Sequence, residues 1–177
     1  MINYEDYAKA LYELSSEENI SDTVFEELML VRDVLASNSE FVKLLDSPAS
    51  SKEERVAMID DTFKDTSYVT VNFLKLLTEM RQMSSFAKCV ESFSKLYDSA
   101  NGILRAEIVT AVDISDAQCA SICEKVASAT GKKVIPVKKT DPSILGGVIL
   151  RYDGIQLDGS VASRLSDIKQ QLAELVL

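Results

Sequence analysis

Apolar side chains recur three and four positions apart through the first hundred residues, the spacing of one face of an α-helix. This stretch is rich in Leu, Ala, Glu and Lys, contains no glycine, and has one proline, Pro48. A capping box at Ser51 and Glu54 marks one helix start, because the serine oxygen can accept the Glu54 amide while the glutamate reaches back. The pattern predicts six helices, near residues 4–14, 24–35, 41–45, 52–63, 69–80 and 86–97.

The period changes after residue 102. Apolar and polar positions alternate from Leu104 to Val112, which predicts a strand. A second capping box at Ser115 and Gln118 opens a helix that we expect to end at Gly131. A short strand follows at Val134–Lys138, and its Pro136 predicts a sheet edge or a bulge.

A hairpin and a last helix complete the pattern. Gly147–Tyr152 and Ile155–Leu157 flank Asp153-Gly154, a tight-turn dipeptide. The helix that starts at Ser160 carries a seam with coiled-coil spacing. That seam consists of Val161, Leu165, Ile168, Leu172 and Leu175. The predicted fold class is therefore α+β, a six-helix bundle followed by a small α/β domain with a short mixed sheet and a C-terminal helix.

Two properties change together near Gly102. All six glycines lie at or after position 102. Residues 1–102 carry 10 basic and 19 acidic side chains, whereas residues 103–177 carry 9 of each. We therefore predict two domains, a helical bundle at 1–102 and an α/β domain at 103–177.

Composition excludes several function classes. The chain has no histidine, which removes Ser-His-Asp and Cys-His catalysis and imidazole metal ligands. A net charge of −9 disfavours nucleic acid as a partner. The longest apolar run, Ile144–Leu150, has seven residues and two glycines, so no membrane span and no secretory signal are expected. The three cysteines are interpreted as reduced thiols of a cytoplasmic protein, and we expect no cofactor and no metal.

Three candidate chemical sites have simpler structural interpretations. Cys119 and Cys123 lie four apart on a helix and could serve a thiol enzyme, but their apolar neighbours favour core packing, as they do for Cys89. Gly146-Gly147 lacks the lysine and hydroxyl of a phosphate loop and leads into a strand, which indicates a turn or bulge. Asp158 and Ser160 have no base beside them, and capping of the last helix explains both.

Two apolar stripes are harder to assign to the core alone. The first helix offers three tyrosines, and the fifth is apolar nearly all round from Val69 to Met80. The fifth helix is therefore either fully enclosed or uses its second face on a partner. No catalytic constellation is present in the sequence, so the residues indicate an interaction protein.

Several segments resemble one family, the δ subunit of rotary ATP synthases, which is related to the mitochondrial oligomycin-sensitivity-conferring protein. They are residues 7–14, 45–48, 72–77 and above all 141–165. The last of these contains the signature positions Asp141, Pro142, Gly146, Gly147, Arg151, Asp158, Gly159, Ser160 and Arg164. Two places depart from the family pattern: Met80-Arg81 replaces a frequent Asn-Gly, and Ala162 replaces a frequent arginine.

The resemblance implies a non-catalytic stator subunit with two partners and one copy per complex. The N-terminal domain would hold the N-terminal helix of an α subunit between its first and fifth helices. The C-terminal domain would engage the b-type peripheral stalk, and the protein would sit peripherally on the cytoplasmic face of a bacterial membrane. The implied groove residues are Tyr7, Ala8, Leu11, Phe73, Leu76, Leu77 and Met80. The alternatives are a helical adaptor with unrelated partners and a thiol enzyme using Cys119 and Cys123.

Overall fold

A computed structural model of the chain describes residues 4–166. The chain divides into two compact units, Met1–Tyr97 and Asp98–Leu177. Each unit has its own apolar core, and each is described separately below.

The first unit is helical throughout. Among the described residues it contains the six predicted helices, with a 3₁₀ turn at Met83–Ser85 before the sixth, which itself continues past the unit boundary. The helices are α1 Tyr4–Glu17, α2 Ser21–Ser37, α3 Ser39–Asp46, α4 Lys52–Thr62, α5 Tyr68–Glu79 and α6 Phe86–Ala100.

Local signals in the sequence account for several helix ends. The capping box predicted at the start of α4 is confirmed, since Ser51 Oγ accepts from the Glu54 amide at 3.1 Å and Glu54 Oε2 accepts from the Ser51 amide at 3.0 Å. Ser51 thereby satisfies a backbone donor that would otherwise lack an intrahelical partner. Upstream, α3 ends where Ser47 turns to extended dihedrals before Pro48, as expected for a residue that precedes proline.

The core of the first unit collects the inward stripes of its helices. Leu28 and Leu74 are fully buried, and Phe86 and Phe93 nearly so. Tyr12 meets Phe93 edge-on with ring centroids 5.7 Å apart. Each such large side chain contributes about 1.5–3 kcal/mol of burial free energy, so the interlocked stripes hold the bundle together.

The second unit contains a four-stranded mixed sheet in the order β2-β1-β3-β4. Strands β1 and β2 are parallel and joined through α7, whereas β3 pairs antiparallel with both β1 and β4. A 3₁₀ turn at Pro142–Ile144 precedes β3, and residues 161–166 are helical. The elements are β1 Ile103–Thr110, α7 Asp116–Thr130, β2 Lys133–Thr140, β3 Val148–Tyr152 and β4 Ile155–Asp158.

Alternation along β1 divides the sheet into two faces. Leu104, Ala106 and Ile108 are buried in one cluster with Cys119 and Val126 of α7. Odd-numbered positions lie on the opposite face, because successive strand residues point to opposite sides.

The observed elements confirm the α+β fold class and most local predictions. Gly131 ends α7 in the left-handed region at φ 70°, and the Asp153-Gly154 turn joins β3 to β4. Pro136 lies in β2, an edge strand, where its missing amide proton costs little, and β2 is longer than predicted. The seam positions Ile168, Leu172 and Leu175 lie outside the described residues.

Candidate protein-binding groove

A concave apolar groove runs between α1 and α5 in the first unit. Its volume is about 210 Å³. Neither wall contributes a charged side chain, and the lining consists of Tyr7, Ala10, Leu11, Leu14, Val69, Asn72, Phe73 and Leu76. The lining positions recur three and four apart on each helix, so each wall is one face of a helix.

The groove has a buried floor and exposed walls. Leu11 and Phe73 are each 6% exposed and form the bottom. Leu14 and Leu76 remain 42% and 40% exposed. Paired large apolar side chains left open to solvent in a concave strip provide a suitable contact surface for another apolar face.

Each end of the groove carries a polar link between its walls. At one end Tyr7 Oη donates to Met80 Sδ at 3.4 Å. At the other end Glu18, one residue past α1, is close to Tyr68 of α5, and hydrogen bonding to Glu18 is the first cause that raises the pKa of Tyr68 above its usual value. Burial and the negative charge of Glu18 raise that pKa further. Since the start of α1 meets the end of α5, the two walls run antiparallel.

A carboxylate on α2 fixes the N-terminal end of α5. Glu27 Oε1 accepts from the Ser67 amide at 2.7 Å, and Glu27 Oε2 accepts from the hydroxyls of Ser67 and Thr70, each at 2.6 Å. Ser67 is also the N-cap of α5. Negative charge at a helix start is favourable, and charge-assisted bonds are the stronger kind, so this wall is firmly held.

A second carboxylate fixes the chain just beyond α5. Asp46 Oδ1 accepts from the Met83 amide at 2.7 Å, and Asp46 Oδ2 accepts from the Ser84 amide at 3.0 Å. Both amides would otherwise lack a partner at the start of the 3₁₀ turn. The groove wall is therefore held at both ends by side chains from α2 and α3.

The end of α5 accounts for one departure from the family pattern. Arg81 adopts φ 53°, in the left-handed region, and its amide donates to Thr78 O at 3.1 Å. The following amide, of Gln82, donates to Leu77 O at 2.9 Å. These two bonds form a Schellman motif, whose left-handed position is usually glycine. The helix end thus keeps the usual geometry with Arg81 in place of glycine.

The seven predicted groove residues occupy three different environments. Tyr7, Leu11, Phe73 and Leu76 line the groove. Ala8 and Leu77 are completely buried, because the inward stripe of each helix is rotated toward the core, so they support the floor without lining it. Met80 stands exposed at one end beside Tyr7.

Four lining residues were not in the predicted set. Leu14 continues the stripe three residues beyond Leu11, and Val69 is the first apolar residue of the fifth helix, so the pattern could have found both. Ala10 and Asn72 carry almost no hydropathy signal. Alanine is small and asparagine is polar, so neither residue stands out as part of an apolar stripe.

The thiols do not form a reactive centre. Cys89 and Cys119 are buried, and Cys123 is half-buried. Burial raises the pKa of Cys89 and is the first cause of the raised pKa of Cys123, so both thiols stay protonated at neutral pH. Within residues 4–166 no group of three or more acidic or cysteine side chains could hold a metal ion, and none of the helices there is long and apolar enough to span a bilayer.

The signature positions of the second unit form a junction between β3, β4 and the last helix. Gly147, at φ 81°, passes so close to the Gly159 carbonyl that no side chain fits there. Asp158 Oδ1 accepts from the Ser160 amide at 2.9 Å, and Ser160 Oγ accepts from the Ser163 amide at 3.1 Å. The turn and capping interpretations of Gly146-Gly147 and of Asp158 and Ser160 are thereby confirmed.

The remaining signature positions surround that junction. Asp141 Oδ1 accepts from the Ser143 amide at 3.0 Å, in the turn that contains Pro142. Arg151 pairs with Glu107 at 3.2 Å and donates to Gln156 at 2.9 Å across the sheet. Arg164 is exposed in the last helix. Most of the signature therefore serves local backbone structure.

Comparison with known proteins points to one family. The family model of the ATP synthase delta (OSCP) subunit matches residues 4–172. ATP synthase subunit delta of Lactobacillus johnsonii is 34% identical over 95% of this chain and 93% of its own length. The corresponding subunit of Clostridioides difficile is 32% identical over 96% of this chain and 95% of its own length.

A solved structure has the same fold. A chain in the cryo-EM structure of the Toxoplasma gondii mitochondrial ATP synthase hexamer superposes with a TM-score of 0.78 at 23% identity, covering 98% of both chains. The likeness therefore extends over both units.

Proposed function

The chain belongs to the ATP synthase delta (OSCP) subunit family, and we propose that it is a non-catalytic stator subunit that joins the catalytic head of an F-type ATP synthase to its peripheral stalk. Family membership confirms the resemblance inferred from residues 141–165. The role is mechanical: rotation drives ATP synthesis only if the head is prevented from turning with the rotor. The subunit would sit peripherally on the cytoplasmic face of the membrane, as part of a complex like that of its bacterial relatives.

The observation that carries the proposal is the apolar groove between α1 and α5. It offers a floor of Leu11 and Phe73 between open walls at Leu14 and Leu76. A helix with apolar residues on one face would seat in such a strip, and the N-terminal helix of an α subunit is the occupant that family membership suggests. The contact is apolar and concave, which suits a lasting attachment.

The second unit is proposed to engage the b-type stalk. Three apolar side chains support this assignment: Leu145 is 69% exposed, and Val161 and Leu165 lie one turn apart on the last helix, nearly half exposed. The Val161 amide donates to Gly146 O at 3.0 Å, so the start of this helix lies beside Leu145. Exposed apolar groups gathered at one place favour a protein contact.

Titration calorimetry with a synthetic peptide of the α-subunit N-terminal helix from the same organism tests the proposal. We expect saturable one-to-one binding and no heat with ATP. Leu76→Asp should weaken binding by about a hundredfold or more, because it places a charge in an apolar contact. Circular dichroism should show its helicity retained.

The matched control is Leu30→Asp on α2. Leu30 is 63% exposed and does not line the groove, so this variant adds the same charge elsewhere in the first unit. It should bind the peptide normally. If the unchanged protein does not bind the peptide, or if both variants lose the same affinity, the groove is not the site that binds the α subunit.

A further inference from the structure

The outer edge of α1 beside the groove is acidic. Ala10 lines the groove, and the positions four before it and three and seven after it are Asp6, Glu13 and Glu17. Residues spaced in this way lie in one row along a helix. The row borders the groove over about 16 Å, since each helical residue advances 1.5 Å.

The opposite edge carries balanced charges. On α5, Lys75 pairs with Asp60 of α4 at 2.6 Å, and Glu79 pairs with Lys52 of α4 at 2.9 Å. These charges are compensated within the first unit. On α1 itself, Lys9 lies 3.8 Å from Glu13, with both side chains more than 60% exposed. With one lysine against the carboxylates of Glu13 and Glu17, this part of the edge has net negative charge.

We propose that the acidic row makes the groove select an amphipathic helix that carries basic residues along one side of its apolar stripe. The inference rests on the proposed function in that the groove is a helix-binding site, and it adds the charge of the occupant. The spacing of Glu13 and Glu17 matches basic residues one turn apart on the partner helix.

The row should act mainly on the rate of association. Exposed charges at the edge of a contact attract the approaching partner, whereas buried apolar contacts determine how long it stays. Salt screens such charges over about 8 Å at physiological ionic strength. Charge selection should therefore be strong in dilute buffer and weak in concentrated salt.

Two synthetic peptides of about 20 residues test the inference on the full chain. They share one apolar stripe and differ only in the residues beside it, which are lysine in one peptide and glutamate in the other. In low salt the lysine peptide should bind at least about tenfold tighter, and the ratio should approach one in 0.5 M salt.

A pair of variants locates the effect. In stopped-flow measurements Glu13→Gln with Glu17→Gln should slow association of the lysine peptide roughly three- to tenfold, with little change in dissociation. The control, Glu26→Gln with Glu40→Gln, neutralises two exposed carboxylates of α2 and α3 that do not line the groove, and should bind like the unchanged chain.

The outcomes separate this inference from the proposed function. If neither peptide binds, if both bind equally in low salt, or if Glu13→Gln with Glu17→Gln leaves association unchanged, the groove does not select by charge. If the lysine peptide is preferred but the α-subunit peptide gives no heat, charge selection holds and the α-subunit assignment fails.

Discussion

The two units maintain their shapes by different means. The first has no glycine, and side chains hold its helices in place through an apolar core and the carboxylates of Glu27 and Asp46. The second contains all six glycines, four of them at positive φ, and its signature junction depends on a backbone contact that only Gly147 permits. We therefore expect the first unit to be sensitive to lost side-chain partners and the second to added side-chain atoms.

The largest expected effect is in the second unit. Gly147→Ala would place a Cβ inside contact distance of the Gly159 carbonyl, at a φ that already disfavours side chains. We expect the free energy of opening of β3 and β4, measured by amide hydrogen exchange, to fall by about 3–5 kcal/mol. Gly154→Ala is the matched control, since Gly154 also has positive φ but no atom lies within 4 Å of its added Cβ. It should cost only about 1–2 kcal/mol.

Equal losses in the two glycine variants would mean that dihedral strain alone acts, and that the close backbone approach at Gly147 has no special importance. Unchanged exchange in the first unit would support the separation of the two cores.

In the first unit the corresponding test removes a partner. Glu27→Ala leaves the Ser67 amide and two hydroxyls without their acceptor, and should cost about 1–3 kcal/mol in chemical denaturation. Faster exchange of the amides at the start of α5 should accompany it. Glu26→Ala, at the exposed neighbouring position, should change stability by less than about 0.5 kcal/mol. Indistinguishable variants would show that Glu27 does not hold α5.

The first unit also has unusual backbone geometry at two described residues, Asn19 and Arg81, which both have positive φ. Arg81 holds the left-handed position of the Schellman motif that ends α5. Arg81→Gly should therefore raise the free energy of unfolding by about 1 kcal/mol, measured by thermal denaturation, since glycine adopts this conformation without strain. Arg81→Ala, which keeps a Cβ, should bring no gain. A gain in both variants would trace the effect to loss of the guanidinium and not to the backbone.

The smallest expected effect depends on pH. Hydrogen bonds from Ser160 lower the pKa of Asp158, so the ionised form stabilises the folded second unit. This contribution is complete above the unfolded pKa of about 4 and is lost as pH falls through the lower folded value. The Asp158→Asn variant should therefore have a lower melting temperature than the unchanged chain at pH 7. The difference between the two melting temperatures should become smaller below pH 4. Asp61→Asn, on the exposed surface of α4, should show no such trend.

Local features were predictable from sequence because their causes lie within a few residues. Ser51 and Glu54 are three apart, and Gly131 directly follows the helix that it ends. The apolar stripes of the first and fifth helices were predictable from the periodicity of each helix, whereas the placing of Leu11, Phe73 and Leu76 in a groove came from the family resemblance.

Features that depend on two helices meeting were not predictable. Glu27 binds Ser67 across 40 positions, and nothing in either local sequence indicates the pairing. Ala8 and Leu77, which the resemblance placed in the groove, are fully buried, because a stripe fixes which residues are apolar but not which neighbour they face. Asn72 and Ala10 line the groove from opposite walls, and neither local sequence indicates that they share a site.

Anchoring of α5 at both ends has a consequence for the strength of the proposed grip. With Ser67 bound by Glu27 and Met83 bound by Asp46, one wall of the groove is preorganised before any partner arrives. The α5 wall then loses little conformational entropy on binding, and more of the apolar contact energy remains as affinity. Because α5 is already held in place, a pulling force on the bound helix would pass into the bundle without first rearranging this wall.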